Sequence, residues 1–291
     1  MTAVTSAPAA LDARAARLEE VVAGLGSVLV AFSGGADSAL VLAAAARVLG
    51  PGRVAAATGV SASLPAAELS GARAFAASLG VRHLTPGTDE MSRAGYRANA
   101  GDRCYFCKAE LMSVLGPLAA ELGLACVATG TNADDLIAGF RPGIRAAREA
   151  GARTPLADAG LTKADVRQLS GRWRLPTWDK PAAACLSSRI AYGIPVTPWR
   201  LSRVERAEEA VRAVLGAAGP PPADLRVRDL GEAGARVELD LAALALATAW
   251  PELRAGVESA VRSAGLAPVR LAPFRSGSLN DALRPAAPSS A

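Results

Sequence analysis

The sequence predicts an α/β protein in which a doubly wound parallel sheet is followed by a smaller α+β domain. First, short apolar segments alternate with amphipathic or alanine-rich helical segments in the N-terminal half of the chain. Second, several apolar segments run directly into loops rich in glycine, serine, threonine and asparagine, which is typical of strand ends that bind ligands. Third, the alternation stops after about residue 190, where a long charged helix and short strands begin.

The alternating segments follow one another in a regular order. An amphipathic helix is expected over residues 11–25, with Leu11, Leu18 and Leu25 on one side. The predicted strands are residues 28–32, 54–60, 81–84 and 125–129. The predicted helices are residues 37–49, 65–79 and 106–122, with a helical turn from Asn132. Alternation at this spacing favours parallel strands with crossover helices, so we expect ligands at one edge of the sheet.

The C-terminal segments predict a separate module. Thr197 is a favourable N-cap and Pro198 suits the first helical turn, so a helix is expected from there to about Leu215. Strands follow at 225–227, 236–239 and 268–271, and helices at 241–248 and 252–264. We therefore divide the chain into disordered tails at 1–10 and 281–291, a first domain over 11–190, and a C-terminal α+β domain over 191–280.

Composition limits the classes of protein that are possible. The 291 residues suffice for one large domain and one small one. No apolar run approaches the length of about 18 residues that a membrane span needs, and no export signal is recognisable at the N-terminus. We therefore expect a cytoplasmic protein without a membrane partner. The net charge of +5 comes mostly from arginines interleaved with acids, a pattern that small anionic ligands explain at least as well as nucleic acid does.

The most informative loop is residues 33–38, with the sequence SGGADS, which follows the first predicted strand and opens a helix. Gly34 and Gly35 let the backbone approach an anion closely. Ser33, Ser38 and the amides of the helix N-terminus can donate to a pyrophosphate, and Asp37 fits such a site when Mg²⁺ bridges it to phosphate. The loop has no Walker lysine. It resembles the PP-loop of ATP pyrophosphatases. These enzymes share an adenine nucleotide alpha-hydrolase-like fold and use ATP to adenylylate a carboxylate, amide or carbonyl oxygen.

Two further loops are expected at the same edge of the sheet. One begins at Thr58, directly after the second strand. The other is the GTNADD sequence that holds Gly130, Thr131, Asn132 and Asp135. By resemblance to PP-loop proteins, the second of these loops faces the nucleotide and its acid is a candidate Mg²⁺ ligand. Asn and Asp suit any turn, so the prediction depends on the pairing of this loop with residues 33–38.

Four cysteines carry the remaining chemistry. Cys126 lies inside an apolar strand and is expected to be a buried small hydrophobe. Cys104 and Cys107 lie at the start of a helix beside basic residues, where the helix dipole lowers the pKa of thiols. Cys185 lies in a segment without periodicity, between cationic residues, where a thiolate is nucleophilic.

The residues leave three interpretations of Cys104, Cys107 and Cys185 open. A redox pair or disulfide would use the CYFC sequence, but that sequence lacks a preceding strand, and Cys185 stays unexplained. A structural zinc ion would need a fourth ligand, and His83 fits better at a surface strand end. Three thiolates on a 4Fe–4S cluster leave one iron open for sulfide, which suits a sulfur-transfer enzyme. We favour the cluster.

Several stretches together resemble the LarE family of ATP-dependent sulfur transferases over about residues 11–280. The stretch most specific to that family is residues 178–193, WDKPAAACLSSRIAYG, which contains Cys185. The others are 33–38 (SGGADS), 102–108 (DRCYFCK), 130–135 (GTNADD), 141–147 (RPGIRAA) and 274–280 (FRSGSLN).

The resemblance implies a specific reaction. ATP adenylylates the carboxylates of pyridinium-3,5-biscarboxylic acid mononucleotide, and sulfur displaces AMP to give thiocarboxylates for the nickel-pincer nucleotide of lactate racemase. Members with only the cysteine that matches Cys185 give up its sulfur and are consumed. This chain departs from them by carrying Cys104 and Cys107, like members that use a 4Fe–4S cluster and sulfide or another sulfur donor. The resemblance also implies a homo-oligomer, such as a hexamer, assembled partly by the C-terminal domain.

Arginines near Cys185 are candidates for anion binding. We expect Arg189 to hold a phosphate or carboxylate of the substrate. Arg226 and Arg228 are further candidates for this role, but surface positions are favoured for both. Two other functions compete with the LarE reaction. A tRNA thiolation enzyme of the same superfamily would normally carry zinc-finger cysteines and a basic face. A non-catalytic ATP-binding iron–sulfur sensor or sulfur carrier would release no pyrophosphate.

Overall fold

The computed structural model describes residues 7–139, 141–181 and 184–283. Its first sheet is formed by β1 (Val28–Ala31), β2 (Val54–Ala57), β3 (Arg82–Leu84) and β4 (Cys126–Ala128), in the order β3-β2-β1-β4. All three pairings are parallel. Every residue of β1 and β2 is buried, which explains why these segments are continuously apolar rather than alternating.

Helices connect and cover the strands. In chain order they are α1 (Ala7–Ala23), α2 (Ala36–Leu49), α3 (Ala66–Ser78), α4 (Ala94–Ala98), α5 (Arg103–Glu121), α6 (Ala133–Ile137), α7 (Pro142–Glu149), α8 (Pro155–Asp158), α9 (Lys163–Arg172), α10 (Pro198–Ala218), α11 (Leu241–Ala249) and α12 (Pro251–Ser263). The described residues divide into two compact units, residues 7–90 with 104–181 and residues 91–103 with 184–283.

The first unit has a core on each face of its sheet. Val28, Val30 and Phe32 pack with residues of α1, α2, α3 and α9. Leu29 and Ala31 point to the other face and pack with residues of α5 and α7. Alternate residues of β1 therefore serve opposite layers, and the doubly wound parallel sheet predicted from the sequence is confirmed.

The second unit is the predicted α+β module. Its strands are β5 (Leu225–Asp229), β6 (Ala235–Leu239) and β7 (Val269–Pro273), with β5–β6 antiparallel and β6–β7 parallel. Apolar residues of α10 and α12 pack against this sheet in a core of their own. The N-cap prediction at Thr197 is also confirmed, because its side chain accepts from the Arg200 N–H.

Segment 91–103 belongs to the second unit through Asn99. This buried residue has a φ of 54°, and its Nδ2 atom donates to the carbonyls of Ile190, Ala191 and Ile194 at 3.3, 2.8 and 2.8 Å. An asparagine suits this left-handed position. No feature of the sequence separates this segment from its neighbours, because its partners lie far along the chain.

Some predicted boundaries differ from the observed ones. Helix α1 begins at Ala7 rather than at residue 11, and β2 ends at Ala57 rather than at residue 60. Helices α4, α7, α8 and α9 occupy segments for which no element was predicted. Residues 1–6 and 284–291 of the predicted tails lie outside the described residues.

Candidate active site: a nucleotide loop and a cysteine turn

The loop after β1 has the backbone of an anion-binding turn. Gly34 has a φ of 73°, a left-handed backbone conformation that favours glycine. Gly35 is the N-cap of α2 without a side-chain cap. The hydroxyls of Ser33 and Ser38 lie 3.1 Å apart. The loop thus presents hydroxyls and helix N-terminal amides, which suit a phosphate.

The loop after β4 approaches this turn closely. A Cβ on Gly130 would lie 2.6 Å from the backbone nitrogen of Ser38, so only glycine permits the approach. Asn132 caps α6, accepting from the Asp135 N–H at 3.1 Å, and its own N–H donates back to Asp135 at 3.2 Å. The Asn132 Nδ2 atom also donates to Asp37 Oδ1 at 3.1 Å. The structure therefore brings the two predicted loops together.

Two lysines from later in the chain reach the first loop. The Nζ atom of Lys163, the first residue of α9, forms an ion pair with Asp37. The Nζ atom of Lys180 donates to the Gly34 carbonyl at 3.0 Å and to Glu68 at 2.7 Å. Sequence reasoning missed both lysines. The only local signal is that Lys163 follows Thr162, which caps α9.

The remaining predicted nucleotide residues have internal partners. Thr58 is buried, and its hydroxyl donates to the Phe32 carbonyl at 2.6 Å and lies 2.8 Å from His83 Nε2. Burial and Arg73 lower the pKa of His83. Thr131 is buried with its hydroxyl 3.1 Å from that of Thr129. Thr58 and Thr131 thus stabilise the strand ends, and a direct contact with nucleotide stays a prediction.

The donor set at Asp37 fits a cation held jointly with phosphate. Mg²⁺ commonly takes one or two protein carboxylates together with substrate phosphates. Asp37 offers such a carboxylate at the edge of the anion loop, and the Lys163 ammonium contacts it as a cation would. Asp135, at the end of the other loop after β4, offers a second carboxylate and lies 3.8 Å from Arg141. Asp37 is therefore the better-placed candidate ligand.

Cys104 and Cys107 lie in the first turns of α5, one turn apart on one face of the helix. Cys104 is exposed and Cys107 is half-buried. The pKa of Lys108 is lowered from its ordinary value, because the effect of burial outweighs the opposite effect of Cys107 and Cys104. Helix α7 packs closely here, since a Cβ on Gly143 would lie 3.2 Å from the Cys104 carbonyl oxygen. Both thiols lie in the first turns of one helix, and their activation by the helix dipole and neighbouring cations stays a prediction.

Cys185 lies in the second unit, at the start of a 3-10 turn over Leu186–Arg189. Its Sγ atom is 2.9 Å from Ser187 Oγ. The Arg189 Nη1 atom donates to the carbonyls of Ala184 and Cys185, and Arg103 Nη1 donates to the Ser187 carbonyl at 2.9 Å. Residues 182 and 183 of the predicted motif lie outside the described residues. Two arginines therefore hold the backbone of the cysteine turn.

The side chain of Arg189 is buried and contacts other residues of the second unit. Its side chain is 4% exposed, and its Nε and Nη2 atoms donate to Glu208 at 2.9 and 3.2 Å. Arg228 is likewise buried against Glu238 at 2.8 Å, so the surface position weighed for it is wrong. Arg226 is half-buried, and burial together with Arg189 and Arg228 lowers its pKa. The predicted contact between Arg189 and substrate stays a prediction.

Cys126 lies in β4 and packs against the first core. Its thiol donates to the Ser27 carbonyl at 3.7 Å, and burial raises its pKa. Cys126 is half-buried rather than buried as expected, and its contacts are with the strand layer and the core. Among the residues that the structure describes, no group of three or more His, Cys, Asp or Glu side chains is arranged to hold a metal ion. None of the described helices has the length and apolarity needed to cross a membrane.

Comparison with known proteins gives a named relative that aligns with nearly the whole chain. It is the pyridinium-3,5-bisthiocarboxylic acid mononucleotide synthase of Lactiplantibacillus plantarum, 35% identical over 94% of this chain and 96% of the relative. An uncharacterised Synechocystis protein is 47% identical over 69% of this chain and 75% of its own length. An uncharacterised Methanocaldococcus jannaschii protein is 30% identical over 45% and 48%. No family model matches the chain.

A parallel sheet whose first strand ends in the SGGADS loop, next to the GTNADD loop, defines a PP-loop ATP pyrophosphatase fold. The named relative narrows this class. The chain belongs to the LarE family of ATP-dependent sulfur transferases. It is therefore an enzyme that transfers sulfur in the biosynthesis of a cofactor.

Proposed function

We propose that this enzyme adenylylates the carboxylates of pyridinium-3,5-biscarboxylic acid mononucleotide and converts them to thiocarboxylates for the nickel-pincer nucleotide of lactate racemase. The observation that supports this most strongly is the close contact between the SGGADS loop after β1 and the GTNADD loop after β4. Gly130 allows its loop to contact Ser38, and Asn132 binds Asp37, so that a cation-binding carboxylate lies at the mouth of an anion-binding turn. The Lactiplantibacillus plantarum relative, a pyridinium-3,5-bisthiocarboxylic acid mononucleotide synthase aligned over nearly the whole chain, supports the choice of substrate.

In the first step, a carboxylate oxygen of the substrate attacks the α-phosphorus of ATP. The bond to the β-phosphate oxygen breaks, and pyrophosphate leaves as the acyl-adenylate forms. The loop amides around Gly35 and the hydroxyls of Ser33 and Ser38 stabilise the charge that develops on the departing pyrophosphate. Asp37 would hold Mg²⁺, which would supply positive charge to assist the same departure. Lys163 keeps Asp37 oriented before the nucleotide enters.

In the second step, a sulfur nucleophile attacks the acyl carbon and AMP leaves with the bonding electrons. Cys185 is the candidate catalytic residue because its thiol lies on a turn fixed by Arg189 and Arg103. Cys104, Cys107 and Cys185 are the residues that would hold a 4Fe–4S cluster, which supplies bound sulfide for transfer. Thiolates are the ligands that such a cluster takes. The support for this ligand set comes from the sequence resemblance, since no group of three or more His, Cys, Asp or Glu side chains among the described residues is arranged to hold a metal ion.

An alternative within the family is that Cys185 gives its own sulfur. The Cys185 thiolate would displace AMP to form a thioester. Removal of the Cα proton would then break the β-carbon–sulfur bond, so that the thiocarboxylate leaves, dehydroalanine remains and the chain loses the mass of H₂S, about 34 Da. Cys104 and Cys107 favour transfer of sulfide without this loss. Intact mass spectrometry after turnover distinguishes the two: an unchanged mass supports sulfide transfer, and the loss supports sacrifice of Cys185.

Pyrophosphate release with different acceptors tests the proposed function. We expect ATP-dependent release with the pyridinium mononucleotide and none with unmodified tRNA. The Asp37→Asn variant should release far less, whereas Asp12→Asn, on the exposed surface of α1, serves as a matched control and should behave as wild type. Release with tRNA but not with the pyridinium mononucleotide would indicate that the enzyme thiolates tRNA instead. No release with either acceptor would favour an ATP-binding sensor or sulfur carrier.

A homo-oligomer and a cytoplasmic location accompany this proposal as properties expected of the family. Sedimentation of the purified enzyme measures the first. The expected species is larger than a monomer, and a monomer at working concentration would contradict it.

A further inference from the structure

Lys180 occupies a position beside the nucleotide loop that the proposed reaction does not yet use. Its Nζ atom lies 3.0 Å from the Gly34 carbonyl oxygen and 2.7 Å from Glu68 Oε2. Glu68 belongs to the first turn of α3, whose Ala72 packs next to Gly34. The lysine thus joins the nucleotide loop to the helix behind it.

The contact with the Gly34 carbonyl orients the neighbouring amide. In a trans peptide, the C=O of one residue and the N–H of the next point in opposite directions. Lys180 holds the Gly34 carbonyl, so the Gly35 N–H points away from the lysine. Gly34 has a φ of 73° and lacks a Cβ, so its peptide plane rotates easily. A fixed donor on its carbonyl therefore limits the conformations that the loop samples before an anion binds.

The ammonium also supplies charge that the loop itself lacks. The SGGADS sequence contains no lysine, and Lys180 brings one to the same turn from far along the chain. Glu68 is 25% exposed and partly neutralises this charge. An anion at the loop is attracted by Lys180 and repelled by Glu68. The two members of the pair therefore have opposite effects on phosphate binding.

We propose that Lys180 is a positioning residue for the β- and γ-phosphates of ATP, and that it acts by holding the Gly34 carbonyl and by adding positive charge at the loop. This inference rests on the proposed use of ATP. Glu68 opposes this effect, because its carboxylate partly neutralises the charge of the lysine. AMP, which lacks the β- and γ-phosphates, is indifferent to both residues.

Binding of ATP and AMP to the full-length protein tests this inference, with isothermal titration calorimetry in EDTA so that Mg²⁺ plays no part. Lys180→Gln should weaken ATP binding about tenfold and leave AMP binding unchanged, and Lys180→Arg should restore most of the loss. Glu68→Gln should leave ATP binding unchanged or tighter. Thermal unfolding of each variant accompanies the titrations to verify that it is folded.

The signs of the two effects decide the outcome. Equal losses of ATP binding in Lys180→Gln and Glu68→Gln would overturn the proposal, because an ion pair that only stabilises the fold responds alike to loss of either partner. Equal losses of ATP and AMP binding in Lys180→Gln would overturn it as well. A wild-type protein that binds neither nucleotide, in EDTA or with Mg²⁺ present, would instead overturn the proposed function on which the inference rests.

Discussion

The charge pairs beside the nucleotide loop differ from those around the cysteine turn. Lys163 and Asp37 are 41% and 25% exposed, and Lys180 and Glu68 are similarly accessible. Arg189 and Glu208 are only 4% and 10% exposed, and Asp229 is fully buried between two arginines. Both regions are rich in cations. They differ in whether water reaches the pairs.

This difference separates exchangeable charges from fixed ones. An exposed pair contributes little to stability because water solvates each partner. A ligand can therefore replace one member at small cost, which suits a loop that binds and releases nucleotide. Removing one member of a buried pair leaves an uncompensated charge in the interior, which is strongly destabilising. The buried pairs of the second unit therefore serve to hold the cysteine turn.

The largest effect on stability is expected at the buried Arg189–Glu208 pair. Arg189→Met leaves Glu208 buried without its guanidinium partner and should lower the free energy of unfolding by about 3–5 kcal/mol. Lys163→Met, at the exposed pair, should lower it by about 1 kcal/mol or less. Urea unfolding followed by circular dichroism measures both. Similar losses in the two variants would remove the distinction between the regions.

A double variant sharpens this test. Arg189→Met combined with Glu208→Gln removes both charges, while the amide oxygen can still accept from the Val227 N–H, which now donates to Glu208 at 3.0 Å. It should recover a substantial part of the stability lost in Arg189→Met. No recovery would mean that the contacts of Arg189 with the backbone of the cysteine turn dominate over the ion pair.

A smaller effect is expected at the nucleotide loop. The Cβ in Gly130→Ala would lie 2.6 Å from the Ser38 nitrogen, so one of the two loops must shift. ATP affinity should fall at least about tenfold, which corresponds to about 1.4 kcal/mol. Equilibrium dialysis measures this. Gly52→Ala, where an added Cβ meets no atom within 4 Å, is the control and should bind ATP as wild type does.

Acid should weaken the second unit through Asp229. Burial would raise the pKa of Asp229, but hydrogen bonds from Arg203 and Arg200 outweigh it and hold the pKa below its ordinary value. The stability from this carboxylate is present above the unfolded-state pKa and is lost as pH falls below about 4. Asp229→Asn should therefore be less stable at pH 7, with a difference from wild type that shrinks in acid. Unfolding midpoints between pH 7 and 3 test this, and a difference that grows would contradict it.

The smallest effect is a gain in stability away from both regions. Gly71 lies exposed inside α3, and a Cβ there meets no atom within 4 Å. Gly71→Ala should raise the free energy of unfolding by about 0.5–1 kcal/mol because alanine has the higher helix propensity. Unfolding in urea gives the value. A loss of stability would mean that α3 needs this glycine for a contact that the folded chain does not reveal.

The parts predicted well from the sequence are local. The SGGADS loop, the Asn132 cap and the strands around them depend on neighbouring residues, so their patterns reveal them. Lys163, Lys180 and Asn99 act on partners far along the chain. No local pattern carries such contacts. Arg189 illustrates the same limit, because the sequence cannot reveal that Glu208 and the carbonyl of Cys185 engage its guanidinium.

The order of the two chemical steps is the central claim, and a Cys185→Ala variant tests it most directly. Pyrophosphate and thiocarboxylate would be measured in the same reaction, with Cys126→Ala as the control for loss of a thiol. We predict that Cys185→Ala still releases pyrophosphate with the pyridinium substrate but forms no thiocarboxylate, whereas Cys126→Ala does both. A folded Cys185→Ala protein that does neither, or that still forms thiocarboxylate, would contradict the account.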